Sequence, residues 1–89
     1  MEFQENFKFL NFELMNRKNA ESLPEDERKF IILNILDKNN NPCKFIIFNK
    51  DLVKKFYSLG LQGLQDIKIL FKLEYSNNMW NVRPLDINS

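Results

Sequence analysis

One stretch of the chain has helical spacing, and its place among strand-like runs constrains the fold more than any other feature. Asn49 supplies an N-cap, Leu52, Val53, Phe56 and Leu59 recur at helical intervals, and Lys50, Lys54 and Lys55 fall off that stripe. Gly60 is placed to end the helix in a left-handed cap. Three apolar runs precede this segment and two follow it, each bounded by polar turn clusters. The order is therefore β-β-β-α-β-β in a single domain spanning residues 1–89, with 1–6 and 88–89 expected as flexible ends.

The runs differ in pattern. Ile67, Ile69, Phe71, Leu73 and Tyr75 alternate strictly, the clearest strand signal in the chain. Phe30 to Leu36 and Cys43 to Phe48 are short apolar runs rich in Ile. The cluster Asp37-Lys38-Asn39-Asn40-Asn41-Pro42 joins them as a hairpin. From Phe7 to Met15 the alternation slips phase: Phe7 and Phe9 share one face, whereas Leu10, Phe12 and Leu14 share the other. A bulge or sharp bend near Leu10 reconciles the two. Arg17 to Glu27 reads as a long polar loop, with capping-box spacing at Ser22-Leu23-Pro24-Glu25 that permits one helical turn. Ser76-Asn77-Asn78 turns the chain into a last strand, Met79 to Ile87, and Pro84 confines the end of that strand to a sheet edge.

Composition narrows the function classes. At 89 residues, 44% hydrophobic and 28% charged, the chain is an ordinary globular domain with one modest core. It contains no His and no Thr, which removes the commonest general base and one hydroxyl nucleophile. No catalytic set is found, and the chain reads as non-enzymatic. The lone Cys43 cannot form an intramolecular disulfide and reads as a small strand hydrophobe, which points to an intracellular, cytoplasmic setting. Residues 1–6 carry Glu2 and Glu5 and do not resemble a secretory signal, and no apolar stretch approaches a bilayer span.

The formal charge of +1 conceals an uneven distribution. Residues 1–27 hold three basic and seven acidic side chains, whereas residues 28–89 hold ten basic and five acidic ones. An anionic partner is therefore compatible with the near-neutral total.

Three strands, a helix and two strands in this length resemble the OB-fold, a five-stranded Greek-key barrel with a helix between its third and fourth strands. A β-grasp domain would have two strands before its helix, and an SH3-like barrel would lack a helix of this length. Within the OB-fold the chain is similar to short single-stranded-DNA-binding proteins of bacteria, phages and plasmids, on its size and on the closing hairpin Tyr75-Ser76-Asn77-Asn78-Met79-Trp80. The resemblance covers Phe7 to Ile87. It implies a mainly β barrel with one helix that acts in DNA replication, recombination or mobile-element transfer. The acidic loop of Glu21, Glu25, Asp26 and Glu27 departs from that pattern, because the loop between the first two strands borders the ligand groove in such proteins.

Single-strand binding needs cations for phosphates and exposed rings on which bases stack. Lys68 and Lys72 lie outward on the fourth strand if Ile67, Ile69 and Phe71 point inward. Arg83 on the partnering strand and Lys44 on the third extend that surface. The expected exposed aromatics are Phe30, Phe48, Tyr75 and Trp80, with Tyr57 near the helix. A rival reading is a protein-interaction module or homo-oligomer using an apolar face such as Phe45, Ile47 or Leu70. No metal or cofactor is expected. Asp37, Asn39 and Asn41 have calcium-loop spacing, but Pro42 and Phe48 stand where Gly and Glu are required. Gly60-Leu61-Gln62-Gly63 has the spelling of a phosphate-clamping GxxG loop, although capping and a tight turn explain it better.

Overall fold

The computed structural model describes residues 1–19 and 21–89, with the side chain of Asp26 also outside the description. Five strands and one helix follow in the expected order: β1 (Glu2–Asn16), β2 (Lys29–Leu36), β3 (Pro42–Ile47), α1 (Lys50–Leu59), β4 (Asp66–Ser76) and β5 (Met79–Asn88). All pairings are antiparallel, in the single sheet β3-β2-β1-β4-β5. Residues 2–6, expected in a flexible end, are strand. They pair with β4 from Glu2↔Lys72 to Asn6↔Lys68.

β1 is the axis of the sheet because it serves two partners. Its first half pairs with β4 and its second half with β2, and the changeover falls at the register shift between Phe9 and Asn11. The extra residue is Leu10, where the alternation slips phase. Beyond the bulge, Phe12 faces the same side as Phe9, opposite Leu33. The polar groups of Phe9 that leave the β4 ladder are taken up by the loop after α1. Phe9 N–H donates to Gln65 O at 2.9 Å and Leu64 N–H to Phe9 O at 2.6 Å. That loop turns back on itself through Gln62 and Gln65, and Gly60 (φ 56) is its left-handed start, so the GxxG spelling serves a helix stop and a turn.

The inner face of the sheet carries the core: Phe7, Phe9, Ile31, Leu33, Ile35, Phe45, Ile47, Ile67, Ile69 and Ile87 are buried with Leu52 and Phe56 of α1. The sheet curls, since the Phe45 ring on β3 lies 5.3 Å from the Phe71 ring on β4, with two strands between them in the order. The edge strands β3 and β5 come back into contact. The sheet is not closed, because no ladder joins them among the described residues. Helix α1 starts where the Asn49 side chain accepts from Asp51 N–H and Leu52 N–H, and it lays Phe56 against Phe9 and Phe12. A Lys55–Asp86 ion pair ties it to β5.

The turns use the residues their dihedrals require. Asn77 and Asn78 both have positive φ, as a two-residue hairpin with the right twist demands. In the β2–β3 turn, Asp37 Oδ1 accepts from Asn39 N–H and Asn41 N–H at 2.8 and 2.9 Å, so the carboxylate is used by the turn itself. Those backbone donors, Asn41 first, hold the Asp37 carboxyl below its ordinary value, against an opposing desolvation. The single turn expected near Ser22 is a 3-10 turn over Glu25–Glu27 that begins at Pro24, without a side-chain cap. β5 is an edge strand, and Pro84 lies beside a bulge there, opposite Phe71. No helix among the described residues is long and apolar enough to cross a membrane.

Candidate functional site

Strand parity decides which candidates meet. On β2 and β3 the outward set is Phe30, Ile32 and Asn34, with Lys44 and Ile46 paired beside them. Past the bulge, β1 adds Asn11, Glu13 and Met15 to the same face, opposite Asn34, Ile32 and Phe30. Phe48, just beyond β3, continues the row, and its ring lies 4.9 Å from that of Phe30. Arg17, just beyond β1, completes it. Its guanidinium stands 5.0 Å over the Phe48 ring and donates to Phe48 O at 2.8 Å. The Arg17 Nε is buried and has no hydrogen-bond partner among the described residues. Phe48 is 48% exposed despite these contacts.

A cleft of about 630 Å³ opens between this row and β5. Arg17, Lys44, Phe48, Val82 and Arg83 are among its walls, and no acidic side chain lines it. The sheet curl makes this site, because Lys44 and Arg83 lie on opposite edges of the sheet. Neither forms an ion pair among the described residues. Exposed apolar surface at Ile46 and Phe48, flanked by three cations, suits a partner that is both anionic and flat-ringed.

Of the eight sequence candidates, the cleft and its rim unite Phe30, Phe48, Lys44 and Arg83. Lys72 is the cross-strand neighbour of Arg83, so it extends the basic surface on β4. It is engaged 3.0 Å from Glu74, and this ammonium holds the Glu74 carboxyl below its usual range. Lys68 shares that face beyond Leu70, opposite Asn88 and Asn6. Tyr75 and Trp80 face the other way. They pair with each other across the β4–β5 hairpin and sit on the side of Phe71, Leu73 and Val82, the reverse of Lys72 and Arg83. They are 60% and 63% exposed because this tip outruns β1, whose ladder ends at Glu2↔Lys72. Both rings are exposed as expected, but alternation parts them from the cations of their own strands: residues three apart in a strand point to opposite sides.

Of the apolar docking face expected at Phe45, Ile47 or Leu70, Phe45 and Ile47 are buried on the inner side, which corrects them, whereas Leu70 is half-buried on β4. Cys43 is half-buried, and desolvation pushes its thiol above the ordinary value, as befits a packing residue. No cluster able to hold a metal ion occurs among the described residues.

Arg17 is the main residue that sequence reasoning missed, because it falls in a segment that reads as loop. A signal existed: once the phase is reset at Leu10, Glu13, Met15 and Arg17 share a face, and Met15 lies opposite Phe30. Comparison with known proteins returns no match to this chain, whether against protein families, curated proteins or solved structures.

Proposed function

We propose that the chain is a small non-catalytic module that binds single-stranded nucleic acid, DNA or RNA, in the cleft between β3 and β5. The observation that carries this reading is the composition of that cleft: Arg17, Lys44 and Arg83 surround the exposed Phe48 ring, with no acid among the lining residues. One base stacks on the exposed part of the Phe48 ring, beside Phe30, while neighbouring phosphates are neutralised by the cations. In this reading the curled sheet is an OB-like barrel with its β3–β5 seam left open, a protein of the cytoplasm that serves DNA replication, recombination or mobile-element transfer. The strand and helix order and the approach of β3 to β5 support that assignment.

The test is fluorescence anisotropy of a labelled oligonucleotide against protein concentration at several salt concentrations. Three cations on phosphates imply that the logarithm of the affinity falls with the logarithm of salt at a slope of about −2. Absence of binding to every single strand at low salt overturns the proposal.

A second reading, a protein-interaction module or self-associating subunit, is favoured by one observation. Leu73, Tyr75, Met79, Trp80 and Val82 crowd the tip of the β4–β5 hairpin, four of them exposed, with Lys72 and Arg83 on the reverse of the strands that carry Tyr75 and Trp80. Sedimentation that depends on protein concentration, and that Trp80→Ala abolishes, would support it.

A further inference from the structure

The single-strand cleft adjoins a second depression of about 300 Å³, and the two share Arg17, Phe48 and Asn49 as a common wall. Across that wall the charge pattern changes. The second depression is lined by Glu27 and Asp51 together with Leu23 and Lys50. The Glu27 carboxylate is held there by structure on both sides. Its Oε1 lies 3.2 Å from Lys50 Nζ, and its backbone belongs to the 3-10 turn closed by Glu27 N–H on Pro24 O at 2.9 Å. The loop is fastened further by Arg17 N–H on Arg28 O, and by the Arg28 guanidinium on Leu23 O and Glu21 O. Asp51 occupies the first turn of α1. A phosphate approaching Phe48 from this side therefore meets the Glu27 carboxylate, held by the loop and by Lys50, and beside it Asp51.

Resting on the single-strand reading above, we propose that Glu27, assisted by Asp51, is a specificity-determining residue that closes one end of the groove to phosphates. A single strand brings one row of phosphates and an exposed base face. It satisfies the site from the Lys44 and Arg83 end, with a base on Phe48, and leaves the acidic depression empty. A duplex hides its base faces and must lay its phosphate rows over both depressions, so it loses the stacking and gains the repulsion. The acidic loop, a liability for nucleic-acid binding in general, thereby becomes a filter against duplex.

The experiment compares the wild-type chain with Glu27→Gln, Lys50→Gln and Arg83→Gln for affinity toward a labelled single strand and a duplex of the same length, at one low salt concentration. Glu27→Gln should raise duplex affinity about 3- to 10-fold while changing single-strand affinity less than about twofold, as expected for one charge near a Debye length. Lys50→Gln removes the same ion pair but leaves the carboxylate, so it should lower duplex affinity. If Glu27 acted only by holding the loop, the two variants would behave alike, and that result overturns the inference. An unchanged ratio of duplex to single-strand affinity in Glu27→Gln, with single-strand binding intact and weakened by Arg83→Gln, overturns the filter and leaves the single-strand reading standing. Failure of the wild-type chain to bind a single strand overturns both.

Discussion

Two hairpins of this protein display a pair of aromatic side chains, yet they stand in different chemical settings. Phe30 and Phe48 belong to the β2–β3 hairpin, on the outer face of strands whose inner face carries Ile31, Leu33 and Ile47. Tyr75 and Trp80 belong to the β4–β5 hairpin, on the inward-facing side of a ribbon that has outrun the core. The first pair meets Arg17 and a cleft walled by Lys44 and Arg83. The second pair has Lys72 and Arg83 on the reverse of its own strands. An aromatic near cations in sequence is therefore no guide to an aromatic near cations in space, because a strand separates residues an odd number apart.

The largest expected difference concerns what lies behind each hairpin. Ile31→Ala, at a fully buried position beneath the Phe30 row, should destabilise the protein by about 2–5 kcal/mol. Val82→Ala, at a half-exposed position on the other hairpin, should cost less than about 1 kcal/mol. Urea unfolding measures both, and equal losses would mean that the β4–β5 tip is as firmly packed as the core.

A smaller effect separates the ring pairs as binding platforms. Phe48→Ala should weaken oligonucleotide binding by about 1–3 kcal/mol, whereas Trp80→Ala should change it less than about threefold. If Trp80→Ala proves the more damaging in an anisotropy titration, the platform is the β4–β5 hairpin and the comparison is reversed. Among the cations, Lys44→Gln and Arg83→Gln should each make the salt slope shallower by about 0.7, and Lys68→Gln should leave it unchanged. A similar change from all three would spread the site over β4 and remove the special status of the cleft.

The smallest effect lies at the anchored end of β5. The hydrogen bond and charge of Lys55 hold the Asp86 carboxyl below its ordinary value of 3.8, with burial opposing. Because the folded pKa lies below the unfolded one, the ion pair contributes fully above about the unfolded value. Its contribution fades as pH falls toward the folded one. Both partners are more than a third exposed, so the contribution should stay under about 1 kcal/mol. Asp86→Asn should flatten this part of the acid-unfolding profile without altering single-strand affinity, which would separate the anchored base of β5 from its cleft-lining middle.

Much of the fold was legible because local chemistry and tertiary structure agree. Asn49 and Gly60 bracket α1, Asn77 and Asn78 take the left-handed turn positions, and the strict alternation from Ile67 to Tyr75 is a half-buried strand. The bulge at Leu10 was legible as a phase slip. The start of β1 was not, because residues 2–6 are strand by virtue of their ladder with β4, a partner more than sixty residues away. The candidate site was legible in part. The outward rows of β2 and β3 follow from parity, whereas the contribution of Arg17 depends on a phase that only the bulge resets.

The sequence by itself determined the order of elements, the alternation of faces along each strand and the exposure of a few aromatic rings, since these depend on periods of 2 and 3.6 and on turn dihedrals. Tertiary structure alone decided that Lys44 and Arg83 share a cleft, that Arg17 covers Phe48, and that Glu27 stands at the end of the groove. The physical reason is curvature. The bend in β1 and the packing of Phe45 against Phe71 bring opposite edges of one sheet together, and no local pattern records how far a sheet curls.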